Sequence, residues 1–408
     1  MVYQSNSAGR VAYKAQAGLG QIAAGGAGAT VLPISGGPGA KLSKAATESQ
    51  TIRNDGMSIR GRHGTQKTSS SYNAEMWLGS HDAIIEAIMR GTWDATPLNK
   101  TQADFTSLTT VADGIVFASG SPIDMGFKVG DIIRATNLPD AGNNARNLRI
   151  SALSANKITV PETLVVNAAP DTNCTIARPG KRLVNPAALV RRYFGIEEFE
   201  SDIGKSTVLD DFVWGTGKFS MAPNGIITFD PGGIGTGKIR PLNAGVPYFT
   251  DPQGTNGTPF AVVDATIRLG GVDLVELTSF DLSLDIQPSA PDAFGSGNIK
   301  YAPDVFTGPL RVSLNLTMLR KDLQLLTDFV SETQYSLNIL AVDNMSEPRD
   351  FMSITVPNFT IGGVDPSALS KQGGGRTQTI TIPPALVGID TSATGNNSMI
   401  SFQTTAAA

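Results

Sequence analysis

Residues 69–93 read SSSYNAEMWLGSHDAIIEAIMRGTW, and the fold class turns on them. Tyr72, Ala74, Met76 and Leu78 alternate with Asn73, Glu75 and Trp77, the period of two that a strand with one buried face requires. The spacing then becomes helical. Ser80 stands where an N-cap would satisfy free backbone donors, and Asp82 suits the positive helix end. Ile84, Ile85 and Ile88 form an apolar stripe, and Gly91 closes the segment.

A second unit of the same kind lies far downstream. Leu310, Val312, Leu314, Leu316 and Met318 alternate with Arg311, Ser313, Asn315 and Thr317, and residues 321–330 carry Leu323, Leu326, Phe329 and Val330 at helical spacing. Setting Asp82 on Asp322 places Tyr72, Ala74, Met76 and Leu78 on Val312, Leu314, Leu316 and Met318. The helices align after a slip of about two residues. The pattern, not residue identity, suggests an internal duplication.

The remaining composition limits what such a chain does. Its 408 residues exceed one ordinary core, so two or three domains are expected. With 44 glycines and 24 prolines, most of the connections are turns and loops. A net charge of -4 with only 17% charged residues fits neither a disordered tail nor a specific nucleic-acid binder. Cys174 is the single cysteine, which excludes an internal disulfide and favours a reducing site of synthesis. No apolar run is long enough to span a bilayer, and residues 1–9 lack a basic-then-apolar leader, so a soluble cytoplasmic product is expected.

Residues 1–45 are polar and then Gly/Ala-rich, a composition expected to form an arm that orders against a neighbour. A short strand over 46–53 leads into a polar loop, 54–70, which carries Arg60, Arg62, His63 and Lys67 and is longer than hairpin loops usually are. The first main domain comprises 46–100 and 181–258. Between its parts, residues 101–180 show short strands spaced by Gly, Pro and Asn, the texture of an inserted small all-β module bounded by Pro97 and Pro179. The second domain covers 259–387. In it Phe280, Leu282, Leu284 and Ile286 oppose Asp281, Ser283 and Asp285, and a loop over 288–309, with Phe294 and Tyr301, mirrors the first long loop. Residues 388–408 are small and polar and read as a C-terminal arm.

Several fragments imitate chemical sites. Residues 232–238, GGIGTGK, match a phosphate loop, but Ile239 occupies the place of the magnesium-binding hydroxyl and Pro241 interrupts the required helix. Residues 18–23 resemble a dinucleotide fingerprint without the strand that should precede it. With two histidines, His63 and His81, and one cysteine, a zinc site would depend on carboxylates that do not cluster. His81 reads as a helix-end residue rather than a base. Glu197, Glu198, Glu200 and Asp202 read as a solvated strand edge and loop. No catalytic, cofactor-binding or metal-binding residues are assigned.

The order of these segments resembles the tail tube, or major tail, proteins of long-tailed, siphovirus-like bacteriophages. The resemblance covers roughly residues 45–385. It rests on the Gly-rich arm, the loop with GMSIRGRHG, the unit YNAEMWLGSHDAIIEAIMRGTW, the inserted FKVGDIIRATNLPDAGNNARNLRISALSANKITV and the strand-rich second half. It implies a mainly β fold with short helices: a duplicated tail-tube β-sandwich or partial barrel flanked by a helix, with an inserted outer β module. The implied role is that of a structural virion protein, not an enzyme, whose rings stack into a hollow tube through which phage DNA passes into the host. The implied partners are other copies in a trimeric, pseudo-sixfold ring, the tape-measure protein, tail-tip and terminator proteins, and double-stranded DNA in transit without sequence-specific binding. Neither a cofactor nor membrane insertion is implied. The location would be the virion tail, after synthesis in the host bacterial cytoplasm. A capsid-decorating or surface glycan-binding β-protein is the alternative.

A bore wall needs strands that face the core on one side and water on the other. Asn73, Glu75, Asp281, Ser283, Asp285, Ser313, Asn315 and Thr317 are therefore expected to face the lumen. Their excess of acid suits a channel that must not retain DNA, because each phosphate neutralised by a cation tightens a salt-dependent complex. Arg60, Arg62, His63, Lys67, Phe294 and Tyr301 are expected on loops between rings.

Overall fold

The computed structural model describes residues 3–254, 257–293, 300–343, 348–371 and 373–406. Among them strand greatly exceeds helix, as the alternating sequence pattern requires, and two sheets enclose the main core. The organising element is the 17-residue strand Lys205–Met221. Its first half lies between Phe194–Glu200 and Ile239–Leu242, and its second half between Thr228–Gly235 and Leu277–Asp285. The strand serves two pairs of neighbours because it bends. Asp211 has φ 52°, and the register shifts between Trp214 and Thr216, a β-bulge. Gly215 is needed there, since a Cβ would lie 2.3 Å from Pro288 Cγ.

From Leu277–Asp285 this twelve-stranded sheet continues through Arg311–Leu319, Thr377–Ile382 and Gly363–Pro366. On its other flank, Gly9–Ala15 joins Phe194–Glu200 to Thr30–Leu32. A hairpin of Lys41–Thr47 and Arg62–Ser71 attaches through the latter to Thr228–Gly235. The second sheet has seven strands, with Ser401–Thr404 between Lys181–Leu183 and Phe351–Thr360, followed by Gln334–Val342 and Thr266–Leu269. The inward side chains of both sheets, among them Trp214, Phe219, Leu282, Leu314, Ile339, Ile354 and Phe402, form one continuous apolar cluster. Residues 98–178 build two smaller sheets around a separate cluster that includes Phe105, Phe117, Ile133, Ile158 and Ile176.

Local details depart from the sequence reading in informative ways. Residues 69–78 are not one strand: Arg62–Ser71 ends, Asn73–Ala74 pairs with Ile34–Gly36, and Glu75 and Trp77 bridge to Thr228 and Pro259. The alternation of burial nevertheless persists, because Tyr72, Ala74 and Met76 all enter the core. The helix Asp82–Met89 buries Ile84, Ile85 and Ile88 against Lys205–Met221 as expected. Its caps differ. His81 is the N-cap and makes no side-chain cap bond, while Ser80 Oγ turns back to donate to the Trp77 carbonyl at 2.9 Å. At the other end Arg90, with φ 52°, takes the left-handed position. Gly91 is small for another reason, since a Cβ would sit 2.9 Å from Leu183 Cδ1.

The strand expected at 46–53 is Lys41–Thr47, which moves the connecting loop to 48–61 and puts Arg62, His63 and Lys67 on the returning strand. Much of the expected N-terminal arm belongs to the chain's own core. Val11 and Tyr13 join the main cluster, and Ala23 and Ala29 pack with Ala12 against Phe249, where only small side chains fit. The expected C-terminal arm likewise contains a central strand, with Ile400 and Phe402 fully buried. The helix Gln324–Val330 is shorter than the 321–330 span expected, and its apolar stripe lies outside the core.

Candidate functional site

The face of the large sheet turned away from the core carries six of the eight residues expected to line a lumen, and the segment beside it adds Asn73 and Glu75. In an antiparallel pair, directly opposed residues point to the same side. Asp281 opposes Asn315, Ser283 opposes Ser313, and Ser220 and Lys218 oppose Asp281 and Ser283. Ser220 and Lys218 also oppose Thr228 and Asp230, and Glu75 bridges to Thr228, which brings Asn73 and Glu75 onto the same surface. Thr317 meets Thr379 across the next strand pair, their hydroxyls 3.1 Å apart, and Asp365 opposes Thr379 beyond it.

This face carries Glu75, Asp230, Asp281, Asp285 and Asp365 against Lys218 and Arg311. Asp281 accepts from Ser220 Oγ at 2.6 Å and pairs with Lys218 Nζ at 3.0 Å. Asp230 accepts from the Ala74 backbone at 3.3 Å, and its partial burial pushes its pKa upward. Sequence reasoning missed Lys218, Asp230, Asp365 and Thr379 as members. The alternation of Lys218 and Ser220 with Phe219 and Met221 was the available signal.

A second surface forms where the two long loops meet. Gln66 donates its backbone N–H to the Lys300 carbonyl at 2.9 Å, Thr65 Oγ1 donates to Asp292 at 2.7 Å, and Lys67 pairs with Asp292 at 3.5 Å. The base of the hairpin is thus tied to the 288–309 segment. Its connecting loop extends into solvent, with Arg60, Arg62 and His63 exposed beside Lys300. Tyr301 is partly exposed next to this junction, and Phe294 lies outside the described residues.

Other marked residues prove to be structural. Residues 232–235 continue the strand Thr228–Gly235 and offer no loop to cradle a phosphate, and Lys238 pairs with the buried Asp211 at 2.6 Å. Glu197, expected on a solvated edge, is fully buried. It accepts from the backbone of Tyr248 and Phe249 and from Ser206 Oγ, because its strand lies inside the sheet and the 243–249 segment crosses over it. Glu198 accepts from Tyr72 Oη at 2.7 Å and from the Ala40 backbone at 2.6 Å. His81 is buried edge-on against Phe229 at 5.2 Å between ring centroids, and burial pulls its pKa down to about 3. Asp82 pairs with Lys181 at 2.8 Å, and burial outweighs that cation in raising its pKa.

These surfaces are a broad polar sheet face and a projecting hairpin with exposed basic residues. A family model described as phage tail tube protein matches residues 6–384 of the chain. No curated protein matches it.

Proposed function

The chain belongs to the phage tail tube protein family, and from that premise we propose that its copies close into rings and stack into a hollow tube with the polar sheet face lining the bore. The protein is a structural component of the phage tail. What supports the finer reading is that Asp281, Ser283, Asp285, Ser313, Asn315 and Thr317 share the sheet face opposite the core, with Asn73 and Glu75 on the segment bridged to its edge. A surface of that breadth with more carboxylates than cations keeps a hydrated wall and repels phosphates, so DNA in transit is not held.

In this reading one chain supplies an arc, and its neighbours supply the closure that removes the open sheet edges. The internal repeat of strand and helix makes three chains with pseudo-sixfold symmetry the natural ring. The module at 98–178 sits on the outer wall, clear of the bore. Tape-measure, tail-tip and terminator proteins are the remaining tail partners of such a tube, which is carried in the virion after synthesis in the host cytoplasm.

The test is labelling of a Ser313→Cys variant in a Cys174→Ser background. Dilute subunits should react readily with a maleimide carried on a long polymer. Assembled tubes should exclude that reagent and still admit a small maleimide through the open ends. Equal reaction with the bulky reagent before and after assembly would place the face outside the bore.

A further inference from the structure

We infer that the exposed apolar face of the helix Gln324–Val330 is the seat for the 48–61 hairpin loop of a second copy of this chain. The two helices that follow the repeated strands have like sequence patterns and opposite burial. Asp82–Met89 buries its isoleucines, whereas Leu323, Leu326, Phe329 and Val330 are all exposed, Val330 by 77%. The residue this second helix buries is Asp328, held by Gln324 and by Tyr335 Oη. Four large apolar side chains on so short a helix are the mark of a contact surface.

The chain itself shows what such a helix receives. At the end of the first helix, Arg90 donates to the Gly308 carbonyl at 2.8 Å, and Val305 and Thr307 line a narrow cleft together with Ala87 and Arg90. The C-terminal end of the first-half helix, past the isoleucines it buries in the core, therefore meets the long loop of the second half. By the same repeat, the helix of the second half calls for the long loop of a first half, and a neighbouring copy supplies one. That loop has the matching chemistry. Ile52, exposed by 97%, and the exposed Met57 and Ile59 offer apolar groups, with Arg60 and Arg62 beside them. The exposed Asp322 and Glu332 flank the helix and complement those cations.

This assignment rests on the tube reading above, and the test separates the two. Chains carrying Val330→Cys and chains carrying Met57→Cys, both in a Cys174→Ser background, are mixed, assembled and treated with a short bismaleimide. The expected product is a cross-linked pair containing one chain of each kind, formed on assembly and not at high dilution. Exclusive cross-linking of Val330→Cys chains to one another would overturn the hairpin as occupant, and so would no cross-link in well-formed tubes. In parallel, Leu326→Asp and Ile52→Asp should each raise the critical concentration for assembly by about tenfold or more. Because both sites are exposed, the unassembled subunit should melt as the unaltered chain does. Unaltered protein that forms no tube refutes the tube reading; tubes with an unchanged critical concentration in both variants refute the docking alone.

Discussion

His81 couples the stability of the subunit to pH. Its ring is fully buried, which pulls its pKa to about 3, whereas in an unfolded chain it titrates near about 6.5. The unfolded state therefore binds more protons between these values, so the stability from His81 is intact above about pH 6.5 and is lost as pH falls towards 3. Between pH 7 and pH 5 the loss should be about 2 kcal/mol. Asp82 and Asp131, whose pKa values burial raises, act in the opposite sense: they contribute most at low pH and lose that contribution as pH rises through their native pKa. Comparing urea midpoints of the unassembled chain with those of His81→Gln isolates the histidine, and the variant should show the shallower decline. Gly217 is held to glycine by its neighbours in the core. A Cβ there would stand 2.6 Å from the Phe229 ring and 3.0 Å from Ile88 Cδ1. Gly217→Ala should cost about 1–3 kcal/mol by overpacking, read as a lower midpoint in the same titration. The outward polar residues were legible because alternation alone fixes which face a side chain takes. Glu197 was not, because the backbone donors that hold it come from residues 248 and 249, which no local pattern connects to it.

At the scale of elements, the strand Ser401–Thr404 carries more than its composition suggests. Read alone, SFQT within a small polar tail has too little apolar content to be core. In the fold it fills the space between Lys181–Leu183 and Phe351–Thr360, and Phe402 meets Phe219 at 6.0 Å between ring centroids. Gln403 accepts from the Ile132 backbone at 2.8 Å and returns a bond to its carbonyl at 2.9 Å, tying the 98–178 module to the second sheet. Phe402→Ala should cost about 3–5 kcal/mol, measured by urea unfolding. Truncation before residue 400 should prevent folding rather than assembly alone. The same holds at the other end: removing residues 1–40 takes Val11 and Tyr13 out of the core, so lost polymerisation in that truncation would report on folding. The helix Asp82–Met89 and the strand Arg311–Leu319 were legible because each carries its own period, whereas 69–78 alternates in burial but is broken into shorter pieces. What the second helix packs against was not, since apolar spacing marks a contact face without naming the surface it meets.

At the scale of the molecule, the described residues form an open twelve-stranded sheet with one polar, acid-rich face, which further copies would close in the proposed tube. The sequence carries two matching strand-and-helix patterns, and the apolar cluster runs through both halves without a break. That continuity follows from Lys205–Met221, which bends to join them through its pairing with Leu277–Asp285. If the polar face lines the bore as proposed, its charge acts on DNA in transit. Replacing Asp285 and Asp365 by Lys should leave the tube able to assemble while turning a repelling wall into a retaining one. Release of DNA from such particles should slow, and raising the salt should restore it. The central claim is tested most directly by a cryo-electron microscopy map of the assembled protein. The account predicts a continuous ring of strands around a water-filled channel, with Glu75, Asp281, Asp285 and Asn315 projecting into it. A map that buries those side chains between subunits, or sets them on the outer wall, would contradict it.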